Sequence, residues 1–72
     1  MQVAVRTNFP QDEKVIAINV DGKPVYDFSP NLIPRGDRIT PISLAGIMPT
    51  RGEHTLEILT EGGKYVKFPF KL

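Results

Sequence analysis

The sequence predicts an all-β chain, a small antiparallel β-sandwich of six to seven strands forming a single domain over residues 1–72. Two observations exclude the alternatives. No stretch of ten or more residues carries the apolar spacing of a helix, and seven prolines with six glycines interrupt the chain at intervals suited to short strands. A third observation is positive: Gly52 to Leu72 reads as one β-hairpin whose register follows from the letters.

Two alternating runs, Glu53 to Thr60 and Lys64 to Leu72, flank Glu61-Gly62-Gly63. With those three residues as the loop, Leu56 faces Phe68, Ile58 faces Val66 and His54 faces Phe70 on the inner side. Glu57 faces Lys67, Glu53 faces Lys71 and Leu59 faces Tyr65 on the outer side. One face is then apolar and the other carries two opposite-charge pairs, the arrangement that stabilises a strand pair. A two-residue Gly-Gly loop sets Ile58 against Lys67 and scrambles both faces. Gly63 supplies the left-handed residue that closes a three-residue loop. Pro69 cannot donate to a ladder, so the last strand is expected at a sheet edge or bulged at that residue. Lys67 and Lys71 guard that edge.

Upstream, Gln2 to Phe9 alternates Val3, Val5, Thr7 and Phe9 on one side and ends at Pro10. Lys14 to Val20 sets Ile16, Ile18 and Val20 on one face, opposite Val15, Ala17 and Asn19. Asp21-Gly22 is a turn signal, and Lys23 to Phe28 returns as the second arm of a hairpin. Two registers are open there; an odd-length loop brings Tyr26 and Phe28 onto the face of Ile16 and Ile18. Ser29 to Arg38, with Pro30, Pro34 and Gly36, reads as a connection. Ile39 to Ile47 is the next strand region, with Ile42 and Leu44 inward.

Composition narrows function by exclusion. A domain of 72 residues buries only about 60% of the surface its unfolded chain exposes, so its stability is marginal without help. There is no cysteine and one histidine, hence no disulfide, no thiolate metal site and no histidine cluster. The net charge of +1 is spread over scattered Lys and Arg, without the basic stripe that nucleic acid or anionic membranes call for. No run approaches the length of a membrane span. Met1 leads directly into strand patterning without a signal peptide, which is expected of a chain not exported by that route or of an excised domain.

Three stretches carry a resemblance: Ile18 to Val25 around Asp21-Gly22, Thr40 to Leu44 opening on Thr-Pro, and Gly52 to Ile58 opening on Gly-Glu-His. Their order resembles the PEGA-type surface domain, a small Ig-like or transthyretin-like β-sandwich, over about two-thirds of the chain. The resemblance implies an extracytoplasmic binding or scaffolding module without catalysis. The link from Gly22 to Thr40 is longer than that family uses.

No motif carries chemistry. Arg35-Gly36-Asp37 spells an adhesive tripeptide, but Gly and Asp in a proline-flanked loop are turn chemistry. His54 faces inward opposite Phe70, while Glu53 and Glu57 point outward; a lone imidazole without a second group in reach is structural. Gly62-Gly63 is not followed by a helix, so it cradles no phosphate. Tyr26 and Tyr65 are too few for a base-stacking surface. The unusual segment is Leu32-Ile33 between Pro30 and Pro34, with Arg35 and Arg38 after it. Leu32, Ile33, Arg35 and Arg38 are the candidate protein-contact residues, against the alternative that the apolar pair folds back as a lid. Ile47-Met48 before Pro49 invites the same two readings.

The expectation is a non-enzymatic structural or interaction protein that takes no cofactor and no metal and works with a protein partner or by self-association. Its predicted setting is a virion, as a phage capsid decoration or tail protein. The alternatives are a PEGA-like protein- or carbohydrate-binding module at the bacterial cell surface, and a small inhibitor that binds a host or phage protein through a strand edge.

Overall fold

Eight strands and no helix make up the computed structural model, which describes residues 1–72. They are β1 (Gln2–Phe9), β2 (Glu13–Val20), β3 (Lys23–Val25), β4 (Asp27–Ser29), β5 (Leu32–Ile33), β6 (Gly36–Ala45), β7 (Glu53–Thr60) and β8 (Tyr65–Lys71). One antiparallel sheet has the order β1-β6-β4; the other has the order β3-β2-β7-β8, with β5 paired to the start of β2. Both sheets contribute to a core of 12 buried apolar side chains. Val3, Val5, Phe9, Ile42 and Leu44 come from the first sheet. Val15, Ile18, Val20, Val25, Leu56 and Ile58 come from the second, and Ile33 of β5 completes the set.

The C-terminal hairpin has the register its alternation predicts, from Glu53 opposite Lys71 through Leu56 opposite Phe68 to Leu59 opposite Tyr65. Gly63 takes φ +83°. On the outer face Glu57 accepts a hydrogen bond from the Tyr65 hydroxyl rather than pairing with Lys67, and this contact raises the tyrosine pKa. The Lys67 ammonium lies 5.7 Å from the Tyr65 ring centre instead. No bulge interrupts β8 at Pro69, because β8 is an edge strand.

Four expectations are corrected. There are eight strands, not six or seven, because the segment between Lys23 and Arg38 contributes three short ones. The turn after β2 holds two residues, with φ +53° at Asp21 and +80° at Gly22; two consecutive positive φ values make a type I′ turn, whose twist matches the strands. That even loop puts Val25 in the core and leaves Tyr26 89% exposed. Phe28, expected on the same arm, lies in β4 of the other sheet, half-buried against the core.

Ile16 is 51% exposed, because a β-bulge between Val15 and Ala17 adds one residue to β2. The bulge switches the inward parity from Glu13 and Val15 to Ile18 and Val20. Finally, Ser29 to Arg38 is not one connection. It passes through β5 and enters β6 at Gly36, so Thr40-Pro41 lies in mid-strand rather than at a strand start.

Pro41 is tolerated there for a definite reason. Met1 and Leu44 exchange two backbone bonds, and alternation along an antiparallel pair makes the odd residues of β1 the hydrogen-bonded ones. Pro41 faces Ala4, an even position, so its nitrogen points away from β1 and past the end of β4, whose pairing stops at Ser43.

Tyr26 alone links β3 of one sheet to β4 of the other. Leu56, Ile58 and Thr60 of β7 are buried, whereas Val66, Phe68 and Phe70 of β8 are half-buried.

Candidate functional site

The four residues singled out from the sequence separate. Ile33 is fully buried and pairs with Glu13 of β2, so it closes the core as a lid and is not a contact residue in the folded chain. Leu32, opposite Lys14, is 45% exposed. Arg35 is exposed, and its amide donates to the Asp12 carboxylate at 2.9 Å. Arg38, opposite Thr7, is exposed near the start of β6. Asp37 of the Arg-Gly-Asp triplet is held by Arg6, whose Nε and Nη2 donate to its two oxygens at 3.0 and 2.9 Å. That pairing lowers the Asp37 pKa and raises that of Arg6. The second apolar pair splits the same way: Ile47 packs half-buried against the core, and Met48 is 97% exposed.

His54 has a partner that its strand neighbours did not reveal. The type I′ turn aims the Asp21 carboxylate at β7, where Oδ1 accepts the Thr55 amide at 2.9 Å and Oδ2 lies 2.5 Å from His54 Nδ1. The Asp21 amide donates to the Thr55 carbonyl at 3.0 Å. On its other side His54 Nε2 lies 2.6 Å from the Thr50 carbonyl oxygen, and the ring stacks on Phe70 with centres 5.4 Å apart. Both ring nitrogens face acceptors, an arrangement that favours the doubly donating, protonated imidazole. The Asp21 hydrogen bond first, and the Thr50 carbonyl next, raise the His54 pKa; His54 and the Thr55 amide lower that of Asp21. Neither nitrogen is left to take a proton from a ligand. The triad instead ties the β2–β3 turn and the β6–β7 connection to the start of β7. Above it lies an open cleft of about 450 Å³ walled by Pro24, Ile47, Met48 and Pro49, with Lys23 at its rim.

The strand edges differ more sharply than the side-chain clusters do. On β8 the even residues bond to β7, as the mutual bonds of Gly52 and Leu72 establish. The outward-facing residues are therefore Tyr65, Lys67, Pro69 and Lys71, and Pro69 has no N–H at the place where an added strand would need one. On β3 the hydrogen-bonded pair that closes the two-residue turn is Val20 with Lys23, so Pro24 likewise turns its nitrogen outward. β4 has three residues and is followed by Pro30. Each of these edges carries a device that resists pairing. β1 carries none. Its eight residues contain no proline and no lysine, and Gln2, Ala4, Arg6 and Asn8 present their N–H and C=O groups away from β6 to an empty side.

The sequence alone did not mark this edge, since β1 reads as an ordinary amphipathic strand until its place in the sheet is known. No protein-family model, no curated protein and no solved structure matches the chain.

Proposed function

We propose that this chain is a non-catalytic structural and interaction protein that joins a larger protein assembly, with a virion, as a capsid decoration or tail component, its best-fitting setting. The observation that carries the reading is the unguarded β1. Three edges of this small sandwich are blocked by proline, lysine or shortness, and the longest edge is open. Main-chain pairing along such an edge is a general mode of protein recognition. The engagement of both His54 nitrogens supports the non-catalytic part of the reading. The small core, without disulfide or thiolate metal site, supports the assembly part, because a partner would supply the burial that 72 residues lack.

Sedimentation of a native extract of the cells that make the protein tests this. The expected result is that the chain travels with a large particle in fixed stoichiometry. A chain that runs only at its own mass of 8.0 kDa, at native concentration and in every fraction, overturns the proposal. The same edge also favours a small inhibitor that captures one protein; a discrete one-to-one complex in the extract selects that reading. The Asp21-Gly22 turn and the sandwich shape support a PEGA-like or Ig-like kinship, although the mid-strand position of Thr40-Pro41 departs from it.

A further inference from the structure

The connection between β6 and β7 is held differently from the rest of the chain. Across residues 46–51 no backbone–backbone hydrogen bond is made. The one polar tie of this stretch is the Thr50 carbonyl oxygen, 2.6 Å from His54 Nε2. Its apolar tie is Ile47, half-buried against the core, while Met48, Thr50 and Arg51 face solvent. Glycines stand at both ends, Gly46 at φ +76° and Gly52 at φ +120°. Beyond them the chain is fixed: Leu44 bonds to Met1, and Gly52 and Leu72 exchange two backbone bonds. A short segment stiffened by Pro49 thus lies between two glycine hinges.

That segment forms one wall of the cleft of about 450 Å³. The other wall is the β2–β3 hairpin, with Val20, Lys23, Pro24 and Val25. Val20 and Val25 belong to the core and are buried, so displacing the segment uncovers core side chains.

We propose that residues 46–52 form a strap latched by the proton on His54 Nε2. With that proton in place the strap is closed. Its loss lets the strap swing about Gly46 and Gly52 and widens the cleft over Val20 and Val25. Geometry decides which proton leaves. Asp21 Oδ2 is a charged acceptor 2.5 Å from Nδ1, and the Thr55 amide fixes its carboxylate through Oδ1. A hydrogen bond to an ionised acceptor is stronger than one to a carbonyl. Neutral His54 therefore keeps the Nδ1 proton and gives the Nε2 proton to water. Nε2 then turns a lone pair toward the Thr50 carbonyl, and two acceptors at 2.6 Å repel. The strap loses its one hydrogen bond, while the Asp21 side of the clamp stays made.

The groups around the imidazole set the direction of the switch. The His54 side chain is 8% exposed. The β2–β3 turn presents Asp21, and Lys23 of β3 acts on that carboxylate in turn. β8 presents the uncharged Phe70 ring. The strap presents the Thr50 carbonyl, and its one charged residue, Arg51, is exposed. Glu53 of β7 and Lys71 of β8 face each other on the opposite side of the sheet. Asp21 and Thr50 both raise the His54 pKa above its ordinary 6.5. The latch is accordingly closed below that value and released as pH rises through the folded one. This inference goes beyond the association reading and does not depend on it, since no residue of β1 takes part.

NMR on the complete chain, from about pH 5 to about pH 9, tests the latch. Order parameters are read at the Cα–H bonds of Ile47, Met48, Thr50 and Arg51, which do not exchange with water, beside the ring-proton shifts of His54. The expected result is a fall in the strap from about 0.85 to below about 0.6, with the same midpoint as the His54 titration. The Val20 and Val25 methyl signals shift in that step, and Leu56 and Ile58 stay rigid. Asp21→Asn removes the counter-charge, so titration and release should move together to lower pH. In His54→Gln the strap should no longer respond to pH. A strap equally ordered at both ends of the range overturns the proposal, as does loosening at a midpoint apart from that of His54. Loosening that persists in His54→Gln, or that takes Leu56 and Ile58 with it, overturns it too. Should either variant fold poorly, the two midpoints in the unaltered chain still decide.

Discussion

Replacing Gly62 by alanine isolates a contact that turn chemistry alone does not anticipate. Gly63 has φ +83°, but a Cβ there meets nothing within 4 Å. Gly62 has an unremarkable φ, yet a Cβ there would lie 2.5 Å from Glu13 Oε1 and 3.1 Å from Glu13 Cδ. A flexible glutamate would normally swing aside. This one is 2% exposed, and its Oε1 accepts the Thr60 hydroxyl at 2.8 Å, while the Thr60 oxygen accepts the Lys64 amide at 3.0 Å. Moving the carboxylate breaks the link that fastens the hairpin loop to β2.

The cost of Gly62→Ala is that of overpacking a filled site, about 1–3 kcal/mol. For Gly63→Ala a left-handed alanine costs about 1–2 kcal/mol, and the stiffer unfolded chain offsets about 0.4–1 kcal/mol in both variants alike. Gly62→Ala should therefore be at least as damaging, with a fall in Tm of roughly 4–8 °C per kcal/mol for a domain of this size. Glu13→Ala is the control. In that background the Gly62→Ala penalty should vanish or reverse, giving a coupling of about 1–3 kcal/mol between neighbours, whereas the Gly63→Ala penalty should persist. Urea denaturation of the six proteins in this cycle measures both. An equal Gly62→Ala penalty with and without Glu13 refutes the packing argument.

Other outcomes follow from the same structure. Leu56, fully buried between Val20 and Phe68, should cost about 2–5 kcal/mol as alanine; Glu57→Ala, on the outer face, should cost less than about 1 kcal/mol, and equal costs would reverse the faces. The raised pKa of His54 makes its contribution complete below its ordinary 6.5 and lost as pH rises through the folded value. The lowered pKa of Asp21 makes its contribution complete above its ordinary 3.8 and lost as pH falls through the folded value. Urea midpoints should accordingly be highest between these limits, and His54→Gln should flatten the alkaline limb; an unchanged alkaline slope in that variant refutes the doubly donating imidazole. Leu32→Ser should leave Tm nearly unchanged while Ile33→Ser lowers it sharply, since only Ile33 lies in the core; similar melting curves for the two would contradict the split.

Legibility in the sequence depended on whether a feature is local. The β7–β8 register was readable because two charge pairs on the outer face and two apolar pairs on the inner face agree on one loop length. The Asp21-Gly22 turn was readable as a turn but not in register, because the letters on either side suit both parities. The type I′ geometry then decided between Val25 and Tyr26. Val15-Ile16-Ala17-Ile18 is apolar throughout, so nothing in it marks which residue the bulge expels. The Asp21–His54 bond spans 33 positions and needs the pairing of β2 with β7, which periodicity does not supply. The alternation marks the strand only from Lys14, so the inward place of Glu13 at the start of β2 was not readable.

The polar clamps are unevenly placed, and that asymmetry links stability to the proposed function. Asp21–His54–Thr50 fastens one end of the sandwich, Glu13–Thr60–Lys64 fastens the hairpin loop to β2, and Arg6–Asp37 crosses the outer face of the first sheet. In a chain without disulfides these long-range contacts restrict the ends that would otherwise open first. None of them reaches from β1 to β8. Leaving that side open while placing prolines at the outward positions of β3 and β8 separates two requirements. The clamped ends resist opening, and β1 remains the long free edge that the proposed association would use.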